Sequence, residues 1–207
     1  MVIYSYVVVR DFGFAPNPFF GYCTLATCKP NIRKSAQIGD WVIGTGSAAK
    51  DSKYKNRLIY AMYIKEKLLF DGYWNDTRFL NKRPVMNGSR MQWYGDNIYH
   101  IDSSTGKFIQ ENSHHSLKDG LININNYKRD LSGKFVLISK MYWYFGKEAI
   151  PIPDNLKGII KSGRQYKRIE DSALIKAFVV WIKKQQGNAF IGRPAQFSGK
   201  LVRFKGD

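Results

Sequence analysis

Acidic residues are scarce in this chain of 207 residues, where 16 Asp and Glu stand against 33 Lys and Arg to give a formal charge of +17. That imbalance argues against a cationic partner and surrounds the protein with a positive potential that concentrates polyanions. Cysteine is scarcer still. Cys23 and Cys28 are the only two, and their spacing offers neither a disulfide framework nor a paired zinc site. Reduced side chains in packing roles are expected of them. No apolar run reaches the roughly 20 residues of a membrane-spanning helix. The opening MVIYSYVVVR has no basic leader, separate apolar core or cleavage site, so it reads as a first strand of a cytoplasmic protein. There is no GxSxG, no HExxH and no HxE with PCxxC, which leaves those hydrolase and deaminase classes without support. No cofactor and no metal is expected.

The chain does have apolar material for a core, 44% of its residues with 15% aromatic, enough for one sizeable domain. Val2 to Val9 is β-branched and aromatic on both faces, the pattern of a central strand. Pro30 opens a short helix through Ala36, since proline is tolerated in a first turn. Trp41-Val42-Ile43 predicts a strand closed by Gly44-Thr45-Gly46-Ser47, and Arg57 to Phe70 a long one. Residues 71–126 read as an irregular inserted region, polar and aromatic, of the kind that carries function. Phe135 to Phe145 returns to strand character. Glu170 to Gln186 predicts a helix with Leu174, Phe178, Trp181 and Ile182 on one face. The expected organisation is one domain over 1–155 with a basic helical extension over 156–207 packed on it. From Lys157 to the end, twelve basic residues face three acidic ones, an excess of nine and about half of the total charge.

Lys and Arg neutralise phosphate without reading sequence, and exposed rings stack on bases at roughly 1–3 kcal/mol each. This favours a binding protein for nucleic acid, DNA over RNA, or for a nucleotide. Trp41, Trp93 and Tyr94 are the stacking candidates. Thr45 and Lys50, in and behind the glycine pair, would form a phosphate cradle or a plain tight turn. The pair does not match a P-loop or dinucleotide fingerprint. Arg164, Lys167 and Arg168 are expected on phosphate. An enzyme acting on a nucleotide or base is the competing class, with Asp11, Asp96, His100 or His114 as acid–base groups. It requires a carboxylate and a histidine to converge in one place. The adjacent His114 and His115 point to opposite faces if extended, so both would rarely serve one site. A third class, a protein-binding adaptor, would expose an apolar patch.

The runs Tyr4-Ser5-Tyr6-Val7-Val8-Val9-Arg10-Asp11, Gly13-Phe14-Ala15-Pro16-Asn17-Pro18-Phe19, Cys23-Thr24-Leu25-Ala26-Thr27-Cys28-Lys29-Pro30 and Gly39-Asp40-Trp41-Val42-Ile43-Gly44-Thr45-Gly46 resemble the second of the nucleotide modification associated domain families. That resemblance implies a phage or bacterial DNA-modification context. A looser likeness to PUA-like domains, including the EVE, ASCH and YTH groups, implies an α+β fold. Its features would be a partly closed mixed β-barrel, a short helix after the first strand and a long C-terminal helix. By the same likeness an aromatic pocket would hold a base or, in the sense of those groups, a modified base. Arg10, Asp11 and Asn17 would bond the base edge, Trp41 or Trp93 would stack, and Gln92 and Asn97 would lie nearby.

Overall fold

The computed structural model describes residues 1–47, 53–187 and 189–204. In chain order the strands and helices are β1 (Ile3–Val8), β2 (Cys23–Leu25), α1 (Pro30–Ser35), β3 (Trp41–Gly46), β4 (Arg57–Tyr63), β5 (Glu66–Leu69), α2 (Phe70–Asn75) and α3 (Arg90–Trp93). There follow β6 (Tyr99–Ile101), β7 (Phe108–Gln110), α4 (Ile124–Leu131), β8 (Phe135–Ser139), β9 (Tyr142–Tyr144), β10 (Ile150–Pro151), β11 (Tyr166–Ile169), α5 (Ser172–Lys183) and β12 (Ala189–Phe190). The fold is mixed α+β. A seven-stranded sheet runs β11-β1-β3-β4-β9-β12 with β10 also on β4, a three-stranded sheet runs β2-β8-β5, and β6 pairs with β7. As its composition predicts, β1 is internal. It is parallel to β3 and antiparallel to β11.

Two stretches that read as single long strands each divide between the sheets. Past Tyr63 the chain leaves the large sheet, and the Lys65 N–H donates to the Ile138 carbonyl at 3.0 Å to begin the pairing of β5 with β8. The partner turns the same corner between Ser139 and Met141, where the Ser139 hydroxyl donates to the Tyr63 carbonyl at 2.6 Å. One antiparallel ladder thus bends from one sheet into the other. Among the described residues no strand pair joins the sheets on the opposite side, so the barrel is not closed.

Alternation along the strands sorts the core into layers. Tyr4, Tyr6, Tyr60 and Met62 face Cys23, Leu25 and Leu137 of the small sheet and Ile32 of α1. The other face of the large sheet presents Ile3, Trp41, Ile43 and Trp143 to Phe178 and Ile182 of α5. Beyond the small sheet, Val136 and Ile138 pack on Phe70, Tyr73, Trp93, Tyr94 and Tyr99. The inserted region therefore supplies a third cluster, built from elements too short to show a period in sequence. α5 is twelve residues long, shorter than expected at both ends; Asp171 sets its start by accepting from Ala173 N and Leu174 N at 2.9 and 3.1 Å, and it ends at Lys183.

Gly44-Thr45-Gly46, expected as a turn or a cradle, continues β3 instead. The glycines serve close approach. A Cβ on Gly44 would meet Tyr60 and Val8 at 2.5 Å, and one on Gly46 the Tyr54 carbonyl at 1.9 Å.

Candidate functional site

Most of the side chains singled out from sequence are structural in their surroundings. Trp41 is 1% exposed and lies against Trp143 and Phe178, so its rings face the core and not a ligand. Thr45 is buried, its hydroxyl 3.4 Å from the Tyr6 carbonyl. Trp93 is buried beside Tyr94. Gln92 is half-buried and completes a capping box with Ser89 at the start of α3. Lys50 lies outside the described residues. Arg10 lies 5.8 Å from the Phe204 ring centroid.

Asp11 does not reach a base edge. Its carboxylate accepts from the Tyr144 hydroxyl and from Ala195 N at 2.9 Å, and its own N–H donates to Gln196 Oε1 at 2.5 Å, which ties the C-terminal segment to the first loop. Burial pushes its carboxyl pKa up. Asn17 and Asp96 belong to a second buried knot. Lys82 Nζ donates to Asn17 Oδ1 at 2.7 Å, Tyr22 O at 2.9 Å and Thr24 Oγ1 at 3.0 Å, while Asp96 accepts from Thr24 at 2.6 Å and Tyr73 at 2.9 Å. Burial lowers the Lys82 pKa to about 8. Asn97, also buried, donates to the Tyr73 carbonyl at 3.1 Å. His100 stacks on Trp74 and contacts Glu111 at 2.8 Å. His114 is enclosed by Phe12, Phe14 and Tyr94, with Nδ1 on the Val202 carbonyl. Burial, then the neighbouring His115, drives its pKa down to about 3, leaving it neutral. Lys167 donates to the Gly158 carbonyl at 2.5 Å and Arg168 pairs with Glu170 at 2.7 Å, both on the edge strand β11.

The convergence of carboxylate and histidine occurs elsewhere, on Cys28, expected in a packing role, on His115, expected not to share a site with His114, and on Asp130, which the sequence does not single out. Cys28 Sγ lies 3.6 Å from His115 Nε2, and His115 Nδ1 lies 2.6 Å from Asp130 Oδ2. Cys28 follows β2, His115 sits in the loop after β7, and Asp130 is in the last turn of α4. Cys28 is partly exposed whereas Cys23 is buried in the core.

The surroundings hold the three in place. Cys28 and Lys29 have φ of 54° and 39°, the left-handed region that costs a residue with a side chain about 1 kcal/mol or more. The Cys28 N–H donates to Asp130 Oδ1 at 2.8 Å, and its carbonyl accepts from Arg33 Nε at 2.8 Å. The fully buried Arg33 also donates to the carbonyls of Phe135 and Asp130 at 2.8 and 2.5 Å, so one guanidinium clamps the cysteine turn to α4 and β8. Gly133 leaves room for it, since a Cβ there would come within 2.6 Å of Arg33 Cζ. Tyr99 adds a 3.0 Å bond to Asp130 Oδ2 and is itself held by Gln110 at 2.8 Å.

Burial opposes the charged imidazole of His115, but the Asp130 carboxylate and the Cys28 sulfur overcome it and hold its pKa up at about 9. Burial likewise opposes ionised Asp130. His115 and Arg33 outweigh it and keep the carboxyl below its ordinary range. A protonated imidazole beside a cysteine, oriented by a buried carboxylate, is the arrangement that activates sulfur nucleophiles. The ligand atoms of these three residues lie within 4.8 Å of one another, a spacing that metal ligands also show. His115, however, turns a different nitrogen to each partner, which is the order of a relay and not of three donors aimed at one ion. Lys29, the next residue, interacts electrostatically with the cysteine.

Among the described residues no helix is long and apolar enough to cross a membrane. No curated protein and no solved structure matches the chain. The family model described as nucleotide modification associated domain 2 matches residues 1–201. By that match, which spans nearly the whole chain, the protein belongs to the nucleotide modification associated domain 2 family.

Proposed function

We propose that the protein is a thiol-dependent enzyme of nucleotide modification, in which Cys28 attacks an acyl group carried by a nucleotide or by a base in DNA. The line Cys28–His115–Asp130, with separations of 3.6 and 2.6 Å, carries this reading. The family membership supplies the nucleotide context, and the net charge of +17 favours a phosphate-bearing substrate. Of the three classes weighed from sequence, the enzyme is preferred over the pure binder. The aromatic side chains proposed to stack on a base, Trp41 and Trp93, are buried, while a carboxylate and a histidine meet at a sulfur. The bending ladder between the two sheets supports reading the fold as a PUA-like barrel left open on one side.

In the reaction, the proton shared by sulfur and imidazole is held on His115, and Cys28 Sγ adds to the acyl carbon. As the C–N or C–O bond to the nucleotide breaks, His115 Nε2 gives its proton to the departing nitrogen or oxygen. A thioester remains on Cys28. Water, losing a proton to His115, then cleaves the C–S bond, releasing the acid and restoring the thiol. Asp130 keeps Nε2 aimed at the sulfur throughout and balances the imidazolium charge.

The test is incubation with acylated nucleosides, nucleotides and oligonucleotides, an N4-acetylcytosine oligonucleotide among them. Peptide mass spectrometry would follow the protein and chromatography the nucleotide. Acyl transfer to Cys28 with release of the deacylated nucleotide is expected, and both are lost in Cys28→Ala. A wild-type protein that forms no adduct and releases no product across the panel contradicts the proposal.

A further inference from the structure

At the carboxyl ends of the parallel strands β1 and β3 a cleft of about 430 Å³ opens, lined by Val7, Val9, Lys29, Ser47, Arg164 and Gln165. We propose that this cleft binds the nucleotide unit of the substrate, with Lys29 and Arg164 on its phosphate and the two valines against its sugar or base. The assignment of nucleotide as the ligand rests on the reading of Cys28 as the nucleophile of a nucleotide-modifying enzyme; the cleft and its charges do not.

Four observations converge on it. Small-molecule sites run from about 300 to 1,000 Å³, so the space suits a single nucleotide. The carboxyl ends of neighbouring parallel strands are where open sheets with such pairs hold their ligands. Lys29 and Arg164 face one hollow, and among the described residues neither forms an ion pair, so a phosphate entering between them would gain charge-assisted hydrogen bonds without displacing a carboxylate. Lys29 is also held in place. Its backbone is in the left-handed region, and its Nζ stands 4.5 Å from the Tyr6 ring centroid. Burial lowers its pKa from the ordinary lysine value, the condition of an ammonium that an anion would stabilise. Lys29 directly follows Cys28, so the cleft borders the cysteine turn.

Isothermal titration with deoxynucleoside monophosphates, the matching unphosphorylated nucleosides, inorganic phosphate, and short single- and double-stranded oligonucleotides reads the proposal. Monophosphates should bind at least about tenfold more tightly than nucleosides, and Arg164→Ala and Lys29→Met should each weaken monophosphate binding by about tenfold. Arg164 is exposed, so its variant keeps the fold, and an unchanged melting temperature checks this. Preference for free monophosphate or for a strand distinguishes the two sources of the same chemistry. Equal affinity for nucleoside and monophosphate, or monophosphate binding that neither variant weakens, overturns the proposal. Cys28→Ala should bind monophosphate as the wild type does. If it does and no acyl chemistry is found, the cleft stands and the thiol reading falls; acyl turnover that is indifferent to Arg164 and Lys29 gives the reverse.

Discussion

The two adjacent histidines should tilt the stability of the protein in opposite directions with pH. His115 has a folded-state pKa of about 9 against an ordinary value of 6.5. Between those values the folded protein keeps a proton that the unfolded chain releases. Its stabilisation is therefore complete below 6.5 and is lost as pH rises through 9. At about 1.4 kcal/mol per pH unit the whole span is worth about 3 kcal/mol, of which about 2 kcal/mol falls between pH 6.5 and 8. His114, at about 3, behaves the other way, because the unfolded chain takes up its proton first as pH falls below 6.5. A stability maximum near pH 6.5 follows. Lys82, whose pKa is lowered to about 8 from 10.5, raises stability with pH only above 8, and a His115 variant separates the histidine from the buried Asp11 and Asp96, whose pKa values burial also raises. Urea unfolding followed by tryptophan fluorescence at pH 5, 6.5 and 8 measures this, with His115→Gln as the control. A wild-type curve that is flat from 6.5 to 8, or a slope that survives in His115→Gln, refutes the reasoning.

Three further outcomes follow from the buried polar groups. Arg33→Met strips the carbonyls of Cys28, Phe135 and Asp130 of their donor and should cost about 3–5 kcal/mol in denaturant unfolding. Lys82→Met leaves Asp96 ionisable in a site with no cation and should lower stability by a similar 3–5 kcal/mol or so at pH 7. Asp11→Ala should release residues 194–197 while leaving the sheets intact, seen as faster amide exchange at Ala195 and Gln196 with unchanged protection in β1 and β3.

The parts legible in sequence are those fixed by local pattern. β1 is β-branched on both faces and is buried almost throughout, and α1 begins at its proline. α5 carries its apolar stripe, although Asp171 starts it two residues after Glu170. The corners were not legible, because Arg57 to Phe70 is continuous in composition and only the pairing with β8 and β9 divides it. Gly44 and Gly46 look like turn residues until Tyr60 and Tyr54 come within contact of them. The site was hidden for a related reason. Cys28 and His115 are 87 positions apart and Asp130 a further 15 along, so nothing local marks them as partners. His114 and His115 do not turn to opposite faces as an extended pair would: both are buried and their rings stack 5.7 Å apart, although one bonds Val202 and the other Cys28 and Asp130. The left-handed turn at Cys28 is a property of the backbone that no residue type there announces. Trp41 and Asn17 show the converse, since side chains suited to a base are equally suited to a core and a buried knot.

The central claim is that Cys28 is a sulfur nucleophile set by His115 and Asp130, and the rate of its alkylation tests this most directly. With iodoacetamide, site-resolved mass spectrometry should find Cys28 labelled rapidly at neutral pH while buried Cys23 stays unlabelled. His115→Gln and Asp130→Asn should each slow the reaction at Cys28 by about tenfold or more. A Cys28 that labels no faster than a free cysteine peptide, or at the same rate in wild type and His115→Gln, would contradict the account.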